Sequence, residues 1–302
     1  MFTYCSESMV HEMKYITRDG KIEGKDSLQD RFLQAVYGSR AGRWLIRPFI
    51  SPAVSRLGGW FLDQSLSCFL IRPFVRSSGI DLSLCEKQEF DSYNDFFTRK
   101  LKACARRIDR NPDHFISPCD SRLSVYRIGE GLRVPVKQTW YRVADLLRDE
   151  ALAKRFDGGY LFVYRLCVDD YHRYVFPDSG YQTGFRKIKG VLHTVNPAAN
   201  DVCPIYKENS REYGILHSDH FGTLLMMEVG AMMVGRIENH PGHKRVRRGE
   251  EKGYFAFGGS TILVMTQKDR VNVAKEILNH SAQGLETRVL LGEMVGTAAG
   301  DR

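Results

Sequence analysis

The stretch that most constrains this 302-residue chain runs from Lys252 to Met265. Residues 254–257 and 262–265 are aromatic and branched aliphatic, the composition of strands, and Gly258-Gly259-Ser260-Thr261 separates them. Two adjacent glycines open backbone conformations closed to other residues and let another group approach closely. Two readings stand at this level. One is a hairpin turn, which glycine pairs between strands commonly form. The other is a self-cleaving serine, with Ser260 attacking the carbonyl of Gly259.

The surrounding chain sets the fold class. Strand signals dominate from about residue 122: 159–168, 191–195, 213–216, 223–229 and 231–237, with glycine or proline between them. Within that part only 142–155 and 271–280 read as helical, and 93–102 reads as a helix just before it. Earlier, residues 1–26 are polar and turn-prone and read as a lead-in, with Ser27 placed to cap the helix that follows. Residues 28–78 differ. Large apolar clusters alternate with arginines at 31, 40, 43, 47, 56, 72 and 76, against only Asp30 and Asp63. Ile-Arg-Pro-Phe occurs at 46–49 and again at 71–74; proline blocks propagation, so each copy is expected to end a short helix. The expected fold is α+β: a region of short amphipathic helices, 27–92, followed by a mainly antiparallel β catalytic domain, 93–302.

Charge and cysteine content narrow the partners. The net charge of +8 and pI near 9.1 suit an anionic surface. Helices with arginine on one face and large apolar residues on the other can lie in a membrane interface or pack on their own domain. Nucleic acid is disfavoured, because the aromatics sit inside aliphatic helical runs rather than on stacking platforms. Seven cysteines without a CxxC pair argue against a disulfide framework or zinc knuckle and point to a reducing compartment. No apolar run is long enough to cross a membrane as a helix.

Among polar residues, His172 follows the clearest strand, His193 sits in the 191–195 segment, and Asp120 is at the tip of a turn begun by Pro118. A turn aspartate ordinarily bonds its own backbone. His217/His220 and His240/His243 have i, i+3 spacing but no helix or cysteines beside them, and no metal is expected.

Taken together these segments resemble the phosphatidylserine decarboxylase proenzyme family. They are residues 94–102, Ser117-Pro118-Cys119-Asp120, Asp170-Tyr171-His172-Arg173, Val195-Asn196-Pro197, Asn209-Ser210-Arg211, residues 229–235 and Gly258-Gly259-Ser260-Thr261, in the family's order. The resemblance implies that Ser260 attacks Gly259 to form an ester. β-Elimination and hydrolysis would then leave a pyruvoyl group at position 260, with no metal required. The products would be a large chain, 1–259, and a small chain, 260–302. The reaction implied is conversion of phosphatidylserine to phosphatidylethanolamine and CO2 at an anionic membrane surface, by a peripheral protein on the cytoplasmic face, with a homodimer allowed. Asp120 and Ser260 match the family's relay. His172 matches the first of its two histidines and is assigned the reprotonation of Cα, but the second position holds Val175. His193 is the replacement base, with His172 serving both steps as the other possibility. An Asp120 carboxylate beside His193 would fix its tautomer. Two other outcomes are an uncleaved, non-enzymatic lipid-binding relative and a decarboxylase of another serine-headgroup lipid.

Overall fold

The computed structural model describes residues 14–24, 52–136, 139–193, 205–231, 236–256 and 260–300. Ser27, the first Ile-Arg-Pro-Phe copy, the arginines at 31, 40, 43 and 47, Val195-Asn196-Pro197, residues 232–235 and Gly258-Gly259 lie outside them.

The described chain begins with a hairpin of β1 (Lys14–Ile16) and β2 (Ile22–Gly24), closed around Gly20 at φ 84°. Part of the expected lead-in therefore belongs to the main sheet, where β1 runs parallel to β18 (Glu286–Val289). Helices α1 (Pro52–Leu62), α2 (Ile71–Ser78) and α3 (Tyr93–Phe97) follow. The second Ile-Arg-Pro-Phe copy begins α2 rather than ending a helix. Pro73 stands in the first turn, where its missing N–H costs nothing. The cap of α3 is Ser92, whose side chain accepts from Asp95 N, and the helix stops at Thr98, shorter than its pattern suggested.

The rest of the chain is built on one large sheet. Its chain-order strands are β3 (His114–Ile116), β4 (Ser121–Arg127), β5 (Arg133–Val136), β6 (Thr139–Arg142), β7 (Tyr160–Leu166), β8 (Arg173–Val175), β9 (Gly180–Gln182), β10 (Arg186–Ile188), β11 (Arg211–Ser218) and β12 (Gly222–Val229). They continue as β13 (Ile237–Asn239), β14 (Lys244–Val246), β15 (Glu251–Phe255), β16 (Ser260–Thr266), β17 (Val271–Val273), β18 and β19 (Met294–Ala298). The main sheet runs β14-β9-β11-β12-β16-β7-β4-β18-β1-β2, with β10 also on β11. All its pairings except β1 with β18 are antiparallel. The expected α+β class, mainly antiparallel, is what the chain forms.

The middle strands are covered on both faces, which is why their sequences read as continuous apolar runs. Val163, Met227, Leu263 and Met265 face a layer built from β5, β6, α4 (Val143–Leu147), α5 (Glu150–Ala153) and α6 (Ile205–Glu208). Phe162, Tyr164, Met226, Ile262 and Val264 face the opposite way, against Phe115, Phe176, Phe255 and, on α7 (Lys275–Ala282), Ile277. Two helical expectations are corrected here. The 142–155 stretch breaks at Arg148, in the left-handed region at φ 49°, and 271–280 begins as strand β17 before α7. The 191–195 stretch shows an isolated bridge, Val191 to Asn209, in place of the expected strand at its start.

The hairpin reading of Gly258-Gly259 fails. β15 pairs with β13 and β8 in a separate small sheet, whereas β16 lies between β12 and β7 in the main one. The strands on either side of the glycines therefore lie in different sheets and do not pair with each other.

Candidate active site

Strand register brings the Asp120 turn and Ser260 to one end of the main sheet. Arg122 of β4 lies opposite Arg165 of β7, Arg165 opposite Thr261 of β16, and Thr261 opposite Val229 of β12. One step beyond this row stand Asp120-Ser121, Leu166-Cys167, Ser260 and Gly230. Ser260 is fully buried, and its Oγ has no hydrogen-bond partner among the described residues. A sealed hydroxyl without a partner is expensive in an ordinary core.

Asp120 is buried, but its carboxylate does not bond its own turn. Arg106 grips it with Nε at 2.8 Å and with Nη2, and Leu291 N donates to Oδ1 at 2.9 Å. These donors engage the carboxylate, and neither His172 nor His193 is among its hydrogen-bond partners in the described structure. The expected Asp120–His193 contact is thus not formed in this state of the chain.

His172 is wholly buried in the loop after β7. Its Nδ1 is 3.0 Å from the Asp170 carbonyl, which places the neutral ring's proton on Nδ1. Phe97 packs on the ring at 4.2 Å between centroids, and Phe255 N donates to the His172 carbonyl. The loop itself is pinned by Asp170, which accepts from Cys167 N and from Arg122. Val175, where the resembled pattern has a second histidine, is buried against Tyr171 and Leu291. Its N–H donates to the Pro118 carbonyl, tying the histidine loop to the Asp120 turn.

His193 arrives from a different direction. Its N–H donates to Asn209 Oδ1 at 2.9 Å, and Asn209 Nδ2 donates to the carbonyls of His193 and Gly230, both at 2.8 Å. Gly230 follows Val229, so this one side chain fastens His193 to the strand end beside Ser260. The imidazole Nε2 lies 3.2 Å from Glu208 Oε2. Burial pushes the His193 pKa below its ordinary value, with Glu208 opposing; an imidazole so held is a neutral base at pH 7.

The i, i+3 histidine pairs do not act together. His220 bonds Asp178 and His240 bonds Glu251, while His217 is exposed on β11. One group among the described residues has metal-ligand spacing, Cys167, Asp169 and Asp170. Arginines already occupy it: Arg122 on Asp170, and Arg165 Nη1 at 3.0 Å from Cys167 Sγ.

With this geometry in view, comparison with known proteins is decisive. The sequence profile described as phosphatidylserine decarboxylase matches residues 93–297. Phosphatidylserine decarboxylase proenzyme 2 of Clostridium acetobutylicum is 40% identical over 265 residues, covering 87% of this chain and 91% of that protein. The phosphatidylserine decarboxylase proenzyme of Desulfitobacterium hafniense is 41% identical over 273 residues, 88% of this chain and 92% of its own. One from Clostridium botulinum is 38% identical over 291 residues, 94% and 99% of the two chains. The chain belongs to the phosphatidylserine decarboxylase family.

Family membership does not itself name every residue at this site. Arg106, Glu208 and the Leu291 amide escaped sequence reasoning, since each meets its partner only through the fold. So did a sealed pair on the Ser260 face of the decarboxylase sheet. Lys252 and Glu228 are both wholly buried, with Nζ 2.7 Å from Oε2, and Asn239 Oδ1 accepts from the same amine at 2.8 Å. Glu228 lies opposite Ile262, two residues along β16 from Ser260. The nearest signal was Asn209-Ser210-Arg211, whose asparagine proves to be the clamp on His193.

Proposed function

We propose that the chain is a pyruvoyl-dependent decarboxylase that converts phosphatidylserine to phosphatidylethanolamine and CO2 after cutting itself between Gly259 and Ser260. The observation that carries this is the placement of Ser260. It begins a central strand, its Oγ is sealed and unpartnered among the described residues, and the strands on either side of the preceding glycines do not pair with each other. Position 260 therefore suits a nucleophile, and afterwards a small carbonyl group, better than a structural serine. The names of its relatives, all proenzymes, agree with a precursor that is processed.

In this reading Ser260 attacks Gly259 and His193 takes its proton. Asp120, neutralised by Arg106, sets the local field and holds the Leu291 turn in place. A pyruvoyl group at position 260 supplies an electron sink for the charge left as CO2 departs. His172, held by its Nδ1–H bond to the Asp170 carbonyl and by Phe97, is oriented to return a proton to Cα from Nε2 once that nitrogen has taken one up to form the imidazolium.

The same reading places the protein peripherally on the cytoplasmic face of an anionic membrane. Leu57, Trp60, Leu66 and Phe69 are each between 62% and 71% exposed, and Arg72 and Arg76 are exposed on α2 beside them. Such a surface suits an interface-lying element, and no helix among the described residues is long and apolar enough to cross a membrane.

Intact-mass analysis of the purified protein tests the proposal. Two chains are expected, the smaller being residues 260–302 with a blocked N-terminus, together with CO2 release from phosphatidylserine vesicles. A single full-length chain overturns it in favour of a non-enzymatic lipid-binding protein.

A further inference from the structure

Arg99 is a buried cation that the proposed reaction has not yet used. It is 5% exposed, and its Nε and Nη1 are shut off from solvent with no hydrogen-bond acceptor among the described residues. The other buried arginines are answered. Arg122 meets Asp170, Arg165 meets Glu286 and Arg248 meets Asp178. Arg211 spends its guanidinium on the carbonyls of Leu146, Lys207, Asn209 and Asp145. Around Arg99 there is the Phe96 ring, 5.1 Å from its guanidinium carbon, and the weak Cys85 thiol. Burial lowers its pKa, yet a guanidinium remains charged at neutral pH. Asp120 attracts it only from beyond hydrogen-bond reach, and the neighbouring Arg106 repels it. A desolvated charge with no hydrogen-bonded counter-ion costs several kcal/mol in general, so the position makes sense as one that an anion completes.

Its location says which anion. Phe97, two residues earlier, packs on His172. The carbonyls of Thr98 and Arg99 both accept from Arg173 Nε, and Leu101 N donates to the Tyr171 hydroxyl. The Arg99 segment is therefore a wall of the His172 loop. On its other side, Phe96 and Phe97 share a small core with Leu62 and Ile71, under the helices that expose Trp60 and Phe69. A lipid reaching from that apolar surface to His172 brings its phosphate past Arg99.

We propose that Arg99 anchors the phosphodiester of the lipid substrate; this rests on the decarboxylase reading above. The alternative anion on the same molecule, its carboxylate, fits less well. Binding that stabilises the carboxylate in the ground state is lost as CO2 leaves, and so works against the reaction, whereas the phosphate keeps its charge throughout. A planar fork of N–H donors suits phosphate oxygens.

The test uses mature, self-cleaved enzyme and short-chain phosphatidylserine, with CO2 release as readout. Arg99→Gln should mature normally and raise KM by about 10- to 100-fold, the usual worth of hydrogen bonds to a charged group, with a much smaller change in kcat. Arg99→Lys should fall between it and wild type. Inorganic phosphate should compete with substrate on the wild type and should also raise its melting temperature; both effects should vanish in Arg99→Gln. An unchanged KM in Arg99→Gln, or phosphate acting equally on both proteins, overturns the anchor. If wild type releases no CO2, the decarboxylase reading has failed, and the phosphate melting shift still decides the anion site. Should Arg99→Gln not fold, the same comparisons are made with Arg99→Lys, and equality with wild type overturns the proposal.

Discussion

The end of the main sheet and the surface of α1 and α2 break the same rule in opposite directions. At the sheet end, polar atoms are sealed away: Ser260 Oγ and Tyr164 OH have no partner among the described residues, and both lie on the face of the sheet that carries Ile262. At the helices, Trp60, Leu66 and Phe69 stand in solvent. Ordinary proteins satisfy buried polar groups and cover large apolar patches. The contrast teaches that the described residues leave one region open to polar chemistry and the other to an apolar surface. On the function proposed above, a lipid would supply both at once.

Replacing Ser260 with Ala breaks the comparison at its strongest point. The variant should remain one full-length chain without decarboxylase activity, because no hydroxyl is left to accept the acyl group; gel and mass analysis read it directly, and cleavage at Gly259 in this variant would sink the pyruvoyl reading. Next come the acid–base groups. His193→Ala and Asp120→Ala should slow self-cleavage by about 10²- to 10⁴-fold, whereas His172→Ala should cleave at least partly and fail to turn over. The reverse pattern for the two histidines would hand the base role to His172.

A sealed ion pair can be asked whether the sheet end tolerates an unanswered charge. Lys252→Met leaves Glu228 without its amine, and the loss should be about 3–5 kcal/mol, measured by denaturant unfolding in the uncut Ser260→Ala background. On the helical side, Trp60→Ser or Phe69→Ser should each weaken binding to anionic vesicles by about tenfold, from lost apolar burial. Joint charge reversal of Arg40, Arg43 and Arg47 should weaken it as well, and so should raised salt. Vesicle binding indifferent to all of these would mean that the helices only pack on the catalytic domain.

The smallest expected effect is on pH. Burial lowers the His193 pKa, so its neutral, proton-accepting form persists below about pH 6.5, where an ordinary histidine is already half protonated. Self-cleavage should hold its plateau through that range and fall only at more acid pH. A midpoint at or above about 6.5 would place the base in a less buried setting.

Much of this architecture was legible because strands buried on both faces betray themselves: 159–168 and 223–229 were clear runs, and register did the rest. The errors share a cause, which is that a local signal has more than one structural use. Pro73 can start a helix as well as end one, and only packing of Ile71 and Phe74 decides. Gly258-Gly259 looks like a hairpin until β15 and β16 turn out to pair with other strands, in two different sheets. The polar partners were less legible still. Glu228 and Lys252 meet across 24 positions, and Asp120 meets Leu291 across 171, so composition near either residue carries no hint of the other. His193 and Asp120 were picked as neighbours, whereas the fold gives one Glu208 and the other Arg106.

The interleaving of β16, β18 and β19 with earlier strands has a further consequence. β16 is gripped by β12 and β7, β18 by β4 and β1, and β19 by β3. Ser260 reaches its sealed position only after those non-local pairings exist, so a cut at 259–260 would certify that assembly had already happened. It would also be a point of no return. The uncut chain closes its sheet by an intramolecular search, but two separated pieces would have to find each other in solution, at a rate set by their concentration. A molecule matured in this way would depend for its working life on never fully letting go of residues 260–302.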